Sequence, residues 1–322
     1  MINIILIGCG NIGARHLQSL CQLTLSAEFH IVDPNFKNIQ NAIDISNSKN
    51  TRVIHSYSNI NELPDKIDLL IVATNSNIRY KIFKKLIKNY KPKFTILEKF
   101  LFQKKEDYLN ANILIKENNL NVWVNQNYTM QKSFIDVATH FLNSKRINMS
   151  VEGGNWGLCG NSVHYIDFFD YITDRSQNMQ VNNSKFDEVI ISKRKGFYEI
   201  IGEIEILTNS GSTLSLKTHN NKRLKKTIVN LNDENKNKVK IQHENNDIFC
   251  EFNLNGNLFS KKSQISMQSE LTSVIALCLM KNQDCLLPTF STSMRHHLLV
   301  IDEFKNFFDL NDIDTKEGVP IT

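Results

Sequence analysis

The sequence predicts an α/β protein with an N-terminal doubly wound Rossmann domain, residues 1–125, and a C-terminal α+β domain, residues 126–322, built on an open, mainly antiparallel sheet. Three observations support this prediction. Short apolar runs alternate with helical periodicity in the first 125 residues. Strands joined by tight turns dominate residues 187–252. The length of 322 residues suits two domains of roughly 100–200 residues each.

The strands of the first domain are continuous apolar runs, as expected for a parallel sheet that is covered on both faces. They are predicted at 3–7, 29–32, 51–54, 68–73, 94–97 and 121–124. Apolar residues at helical spacing predict helices between several of these strands: at 12–25, after the fourth strand up to about 88, and at 104–118. Right-handed crossovers between parallel strands give a doubly wound sheet.

The second domain begins with helices near 131–143 and 161–173, which bracket a strand at 148–151. Residues 198–206 alternate partly at period two, and turns at 209–211 and 232–235 flank further strands, including 213–218. This pattern indicates antiparallel hairpins with one solvated face. Two helices, near 267–280 and 291–308, complete the domain, and the last of them is a candidate to pack back on the first domain.

Composition and charge exclude several classes of protein. A net charge of +5 is too mild for a nucleic-acid footprint. No apolar run approaches the ~20 residues of a membrane span, and residues 1–8 lack the features of a signal peptide. The six cysteines form no CxxC pair and no zinc-ligand spacing. We therefore expect a cytoplasmic protein without membrane, nucleic acid or metal, which acts on a small molecule.

The strongest local motif is glycine-rich and follows the first strand directly. Gly8 permits a tight turn, Gly10 lets the backbone approach a pyrophosphate, and Gly13 lets helix and strand pack closely. Asp33 ends the next strand, 25 residues after Gly8, and can accept both hydroxyls of an adenosine ribose. This acid favours NAD over NADP, and the alternative is a glycine-rich turn without cofactor. The motif's candidate cofactor residues are Gly8, Cys9, Gly10, Asn11, Ile12 and Gly13.

Two further polar segments end strands at the carboxyl edge of the predicted sheet, where such folds bind ligands. Thr74, Asn75 and Ser76 follow the fourth strand and are candidates for the nicotinamide ribose, while Asn75 or Ser76 could also simply cap a helix. Glu98 and Lys99 follow the fifth strand. A partly desolvated lysine there could assist proton transfer to an oxygen, although a charged pair in that position is often only solvated.

A glycine-rich loop, residues 153–160, leads into an amphipathic helix that carries His164 in its first turn. Asp167 follows three residues later and could face His164 and fix its ring. The alternative reading is a histidine packed at a domain boundary.

The segments GCGNIGARH, ATNS, EKF and GNSVHYID occur in this order, beginning at Gly8, Ala73, Glu98 and Gly160. Together they resemble the Gfo/Idh/MocA oxidoreductases, the glucose–fructose oxidoreductase and inositol dehydrogenase family. The resemblance implies that Lys99 contacts both nicotinamide and substrate, and that His164 binds or deprotonates the reacting hydroxyl. Lys99 and His164 are thus the candidate catalytic residues, and the candidate cofactor residues extend to Arg79, Glu98 and Lys99.

The chain also departs from the family pattern. Phe100 replaces a usual proline, Gly160 stands where many members carry an aspartate four residues before the histidine, and Arg79 stands where a histidine is common. An arginine often found after the sixth strand is absent from 127–129. These departures argue against a simple polyol. The richness in Asn, together with Arg79 and Tyr128, suits a hydroxyl-rich carbohydrate, with a nucleotide-linked sugar as one candidate. The candidate substrate residues are Tyr128, Trp156, Asn161 and His164.

The expected function is therefore that of an NAD(P)-dependent sugar dehydrogenase or reductase. One alternative is a catalytically silent regulator of the same fold that binds dinucleotide or sugar, which Gly160 favours and which the presence of Lys99 and His164 disfavours. A reductase of a non-sugar carbonyl, or a protein like biliverdin reductase, is a third reading, and the His164 helix disfavours the latter. An open sheet leaves a large face to cover, so we expect a homo-oligomer, either a dimer or a tetramer.

Overall fold

A computed structural model describes residues 1–46, 52–175, 177–221 and 223–322, and the chain divides into two compact units. The first unit contains Met1–Asn125 and Ser266–Ser291, and the second contains Gln126–Ile265 and Thr292–Thr322. The sequence analysis had assigned every residue after 125 to the second domain. The structure differs from that assignment at Ser266–Ser291, which return to the first unit.

The first unit is built on a parallel sheet. Within the described residues it has six strands, in the order β3-β2-β1-β4-β5-β6. They are β1 (Ile2–Ile7), β2 (Ala27–Val32), β3 (Val53–Tyr57), β4 (Leu69–Val72), β5 (Phe94–Leu97) and β6 (Val122–Val124). All residues of β4 and β5 are buried, which explains why they read as unbroken apolar runs. The strand predicted from Thr51 begins at Val53, and Thr51 itself lies outside the described residues.

Four helices connect these strands. They are α1 (Asn11–Leu20), α2 (Phe36–Ser46), α3 (Ser76–Asn89) and α4 (Lys105–Glu117). Three of them lie where helical periodicity placed a helix, but α1 ends five residues earlier than predicted. Helix α2 was not predicted; it buries Ile39 and Ala42 and leaves Phe36 70% exposed.

The second unit is built on a mainly antiparallel sheet. Its described residues form eight strands in the order β14-β13-β12-β11-β7-β10-β9-β8, with β7 and β10 as parallel neighbours. The strands are β7 (Ile147–Gly153), β8 (Met179–Ile191), β9 (Tyr198–Thr208), β10 (Thr213–Thr218), β11 (Thr227–Asp233), β12 (Lys238–Glu244), β13 (Asp247–Leu254) and β14 (Asn257–Gln264). The predicted fold class is confirmed. The strands extend beyond the predicted range 187–252 on both sides. The sequence did not reveal these outer parts, because register shifts in β8 and exposure along β14 obscure the alternation of apolar and polar residues.

In the second unit one helix precedes β7 and another follows it. Helix α5 (Lys132–Ala138) is shorter than predicted, and α6 (Leu158–Ile172) packs against β9 and β10. Every residue of α6 except Asn161 and Tyr171 is buried. The helix that carries His164 is therefore held rigidly by its surroundings.

Two helices end the chain: α7 (Gln268–Asn282) and α8 (Phe290–Leu310). Helix α7 belongs to the first unit and packs against α1, whereas α8 lies in the second unit from Thr292 onward. Helix α7 thus packs back on the first unit, and so does the first residue of α8, Phe290, whose ring lies 6.2 Å from that of Phe102. Among the described residues, no helix is both long enough and apolar enough to span a membrane.

Candidate functional site

The glycine-rich turn between β1 and α1 places three glycines in three different environments. Gly8 has φ +92°, and a Cβ atom there would lie 3.0 Å from the Ala73 carbonyl. A Cβ atom at Gly13 would overlap the carbonyl oxygen of Gly8. At Gly10, by contrast, nothing lies within 4 Å of the Cβ position. Gly8 and Gly13 therefore permit close packing, while Gly10 leaves open space beside the helix N-terminus.

The first turn of α1 presents its backbone N–H groups beside that space. Its first intrahelical hydrogen bond runs from the Ala14 N–H to the Gly10 carbonyl. Asn11, Ile12 and Gly13 precede Ala14 in the helix. Backbone N–H groups at such a helix N-terminus can bind an anion. Cys9 is buried behind the turn, where burial raises the pKa of its thiol to about 12.

Asp33 ties the end of β2 to the glycine-rich turn. Its Oδ2 accepts a hydrogen bond from the Cys9 N–H at 2.8 Å. Its Oδ1 accepts from the Asn35 N–H at 2.8 Å and from Asn38 Nδ2 at 3.2 Å. A carboxylate oxygen can accept two hydrogen bonds, so Oδ2 can still receive one from a ribose hydroxyl.

A cavity of about 450 Å³ lies within the first unit beside this turn. The predicted residues Gly8, Gly10, Asp33, Thr74 and Asn75 line it, and they are joined by residues that the sequence analysis missed. The missed residues include some from β1, β2 and α2, some from the loop after β3, and Ile78, Ile82 and Lys85, which follow one another at helical spacing on one face of α3. The open space at Gly10, the N–H groups at the start of α1 and the wall that α3 contributes fit a dinucleotide.

Helix α3 begins directly after this cavity wall. Asn75 occupies the N-cap position of α3 without a side-chain capping bond, and Ser76 is buried, where Gln103 Nε2 donates to its hydroxyl at 3.2 Å. Asn75 thus holds the N-cap position without capping α3 through its side chain, and it lines the cavity, while its contact with a nicotinamide ribose stays a prediction.

Arg79 has a role different from the expected cofactor contact. It is 2% exposed, and its guanidinium donates to the carbonyls of Glu98 and Leu101 at 2.6 and 2.9 Å, and also to those of Phe100 and Thr74. Because these carbonyls surround it, Arg79 anchors the segment that carries Lys99. The peptide bond between Lys99 and Phe100 is cis.

Glu98 likewise lies in an interior network and not on the cavity wall. His16 Nε2 lies 2.8 Å from Glu98 Oε1, and Asn125 Nδ2 donates to the same oxygen. The network continues from His16 Nδ1 to the Thr272 hydroxyl at 2.9 Å and from Asn125 to Gln268 at 2.8 Å. It therefore joins α1, the ends of β5 and β6, and α7 next to Lys99.

The charge of Glu98 is stabilised by this network. Burial alone would raise the pKa of Glu98, but the hydrogen bonds from His16 and Asn125 and the charges of His16 and Arg79 outweigh it and lower the pKa from 4.5 to about 2. We expect this group to make unfolding pH-dependent, because its pKa is lower in the folded chain than in the unfolded chain. Its contribution is fully present above pH 4.5 and is lost as the pH falls towards 2.

The measurement compares wild type with Glu98→Gln, which keeps the shape but cannot ionise. At neutral pH the variant should lose about 2–3 kcal/mol of unfolding free energy in urea titrations. This difference should shrink progressively below pH 4.5. A difference that stays constant between neutral pH and pH 3 would contradict the role given to the Glu98 charge.

In the second unit, His164 is 7% exposed and lies in an aromatic cluster. The Tyr128 ring stacks on the His164 ring with centroids 4.8 Å apart, and Tyr128 also contacts Phe134 and Tyr165 at 4.7 and 4.9 Å. Burial raises the pKa of Tyr128. Tyr128, expected as a substrate residue, thus orients the imidazole by covering one of its faces.

Asp167 does not fix the His164 ring as expected. Its Oδ1 lies 3.2 Å from Arg175 Nη2, and its Oδ2 accepts from the Thr129 hydroxyl at 3.4 Å. His296 Nδ1 approaches Oδ1 to 3.9 Å. Burial raises the pKa of Asp167 to about 6, against the lowering effects of His296 and Arg175. A fully buried carboxylate needs such partners, so Asp167 turns towards them.

Trp156 lies in the loop before α6, and Asn161 lies in the first turn of α6. Trp156 Nε1 donates to the Lys217 carbonyl at 2.9 Å, and Asn161 Nδ2 donates to the Trp156 carbonyl at 2.7 Å. Both donors are bonded to backbone oxygens, and the expectation that Trp156 and Asn161 meet a substrate stays a prediction. The Trp156 ring packs edge-on against Tyr165 at 5.3 Å.

Comparisons with known proteins agree with this architecture. Residues 2–126 match the GFO_IDH_MocA model, described as an oxidoreductase family with an NAD-binding Rossmann fold. No curated protein matches the sequence.

Solved structures share the fold over nearly the whole chain. A dehydrogenase, MviM, from Clostridium difficile is 17% identical with a TM-score of 0.71, covering 95% of this chain and 99% of its own. The transcriptional regulator Gal80p from Kluyveromyces lactis is 14% identical with a TM-score of 0.71, covering 96% and 93%. A 3-ketoreductase from Actinomadura kijaniata, solved with TDP-benzene and NADP, is 13% identical with a TM-score of 0.66, covering 95% and 97%.

Proposed function

We propose that this chain, which belongs through residues 2–126 to the Gfo/Idh/MocA oxidoreductase family, is an NAD(P)-dependent oxidoreductase of carbohydrates. The observation that carries the proposal is the open space at Gly10, which lies in one cavity with the Asp33 carboxylate. A pyrophosphate at the N-terminus of α1 and a ribose at Asp33 match the chemistry of these groups.

NAD is the cofactor that this cavity favours. The Asp33 carboxylate is 7% exposed and would repel a 2′-phosphate while it accepts ribose hydroxyls. Lys85, which also lines the cavity, is the feature that keeps NADP as an alternative, and the 3-ketoreductase of the same fold was solved with NADP.

Replacing Asp33 by asparagine should test this preference. The variant keeps the size of the side chain but loses its charge, so we expect NADH to bind about 10-fold more weakly and NADPH to bind more tightly than in wild type. Fluorescence titration of both cofactors measures the ratio. Ser58→Ala, which changes an uncharged residue of the same cavity wall, should weaken both cofactors alike. An unchanged ratio in Asp33→Asn would refute the assignment.

We assign different roles to the two candidate catalytic residues. A bound nicotinamide supplies hydride exchange with a carbinol or ketone carbon of the substrate. Lys99, on the segment that Arg79 anchors, would orient the reacting oxygen and stabilise its developing charge. His164, oriented by the Tyr128 ring, would give a proton to that oxygen or take one from it.

The substrate class is the finer part of the proposal. The family resemblance favours a sugar, and the TDP-benzene complex of the 3-ketoreductase makes nucleotide-linked sugars the first compounds to test. A catalytically silent regulator is the second candidate, because Gal80p shares the fold and Gly160 replaces an acid that many family enzymes carry. We further propose that the protein is cytoplasmic and forms a homo-oligomer. The oligomer is supported by apolar residues of the second sheet, such as Ile191 and Leu258, which are more than 75% exposed.

Nicotinamide absorbance tests the reaction directly. Purified protein is mixed with NAD or NADH and with pools of free sugars, nucleotide-linked sugars and their keto forms. A change in absorbance that disappears in Lys99→Met supports the oxidoreductase. No change in any pool, with NADH binding confirmed by fluorescence, favours the regulator.

A further inference from the structure

One face of the β2–β3 pair carries three side chains that can bind a metal ion. Glu28 and His30 are two residues apart on β2, so their side chains lie on the same face of the sheet. His55 of β3 is the register partner of His30, and the two imidazole rings stack with centroids 4.7 Å apart. One donor atom from each of the three residues lies within 4.8 Å of the donor atoms of the other two. Two neighbouring strands thus bring a carboxylate and two imidazoles to one point.

The spacing of these donor atoms suits a transition metal ion after small side-chain rotations. Glu28 Oε2 lies 3.5 Å from His55 Nε2 and 4.0 Å from His30 Nε2. Two ligands that bind one Zn²⁺ at about 2.1 Å in tetrahedral geometry lie about 3.4 Å apart. Such an ion sits between its ligands and needs no cavity of its own. The His55 side chain is 43% exposed, which permits the rotation, the entry of the ion and a water molecule as fourth ligand.

His30 is the member of the cluster that points most directly to a ligand. It is 5% exposed, and its Nδ1 lies 3.0 Å from the Tyr57 hydroxyl. Its Nε2 is buried and has no hydrogen-bond partner within the described ranges of the chain. The Glu28 carboxylate, at 4.0 Å, is too far away for a hydrogen bond to this nitrogen. A buried polar atom without a partner costs free energy, and a metal ion bound at Nε2 would remove that cost.

Tyr57 supports the tautomer of His30 that a metal ion requires. When His30 Nδ1–H donates to the Tyr57 hydroxyl oxygen, the lone pair lies on Nε2, the nitrogen nearer to the Glu28 carboxylate. Histidines that bind a metal through one ring nitrogen almost always donate the other N–H to an oxygen atom in this way. The cluster therefore contains three ligands and a residue that orients one of them.

We propose that Glu28, His30 and His55 bind one divalent transition metal ion, Zn²⁺ being the best match, and that the ion ties the edge strand β3 to β2. Two imidazole nitrogens and one carboxylate oxygen are ligands that Zn²⁺ prefers. The site is separate from the proposed dinucleotide site, because none of these three described residues lines that cavity. Sequence spacing predicted no metal site, because the ligands lie on two strands that only the fold pairs.

Calorimetric titration of the metal-stripped, full-length chain with Zn²⁺ tests the site. Wild type is expected to bind one ion per chain with a Kd in the micromolar range or below. His55→Ala and Glu28→Gln should bind it at least about 100-fold more weakly, and Tyr57→Phe about 10-fold more weakly. His219→Ala removes another histidine that is paired with a carboxylate, that of Glu152 at 2.8 Å, and should bind like wild type.

Co²⁺ and thermal unfolding distinguish this site from binding elsewhere on the chain. Bound Co²⁺ should give visible absorption without the near-ultraviolet band of thiolate ligands, and His55→Ala should lose that absorption. Zn²⁺ should raise the thermal midpoint of wild type but not that of His55→Ala, whose unchanged circular dichroism would show that it folds. The inference is wrong if wild type binds no ion, if His55→Ala binds the ion like wild type, or if a thiolate band appears.

Discussion

Replacing Lys99 by methionine is expected to lower kcat by about 10²–10⁴-fold while NADH binds within a few-fold of wild type. Methionine keeps the length and apolar stem of the side chain but removes the charge that would stabilise the reacting oxygen. The backbone of the segment should be unaffected, because Arg79 holds it through carbonyl groups and not through the Lys99 side chain. Stopped-flow or steady-state absorbance with the best substrate measures kcat.

Lys93→Met is the matched control for this variant. Lys93 precedes β5, whereas Lys99 follows it, and the Lys93 ammonium lies over the Phe94 ring at 4.9 Å. Its replacement should leave kcat unchanged. If Lys99→Met retained kcat within threefold, Lys99 would have no part in the chemistry, and a loss of NADH binding would instead make it a cofactor ligand.

Alanine at Gly13 is expected to abolish tight NADH binding and to cost about 1–3 kcal/mol of unfolding free energy. The new Cβ atom would overlap the Gly8 carbonyl, and both overlapping groups are fixed by the backbone of β1 and α1. The turn would have to open, which moves the first N–H groups of α1 away from the pyrophosphate. Fluorescence titration and urea unfolding measure the two effects separately.

Alanine at Gly10 should give the complementary result. Nothing lies within 4 Å of that Cβ position, so the free energy of unfolding should not change. The methyl group would, however, enter the space proposed for the pyrophosphate, and NADH affinity should fall by about 10-fold or more. A Gly10→Ala protein that binds NADH like wild type would show that the cavity holds something else.

Local patterns predicted much of the fold. The apolar run of β1, the three glycines after it and Asp33 lie within one short stretch of sequence, so their spacing alone indicated a cofactor turn. Helix α2 was missed even though Ile39 and Ala42 carry helical spacing. Strand β14 is exposed along almost its whole length, so its sequence shows no alternation that could have revealed a strand.

Residues that act through distant partners escaped prediction. Asp167 is three residues from His164, which suggested a contact, but the charge of Arg175 and the hydroxyl of Thr129 compete for it in the folded chain. Arg79 was expected at the cofactor because nothing in the sequence shows the carbonyl groups that surround it. Glu199 carried no local signal either, because the Cys159 and Gly160 N–H groups that donate to its carboxylate lie on another element.

The return of α7 to the first unit has a consequence for biosynthesis. The face of α1 that bears His16 and Ser19 is covered by Thr272 and Ser273, which leave the ribosome only after the whole of residues 126–265. During translation the first unit therefore has an uncovered helix until α7 is made, and such exposed surface is a target for chaperones. A gene fragment ending at codon 125 should give an aggregation-prone product, whereas one that splices residues 266–291 onto it restores the missing cover.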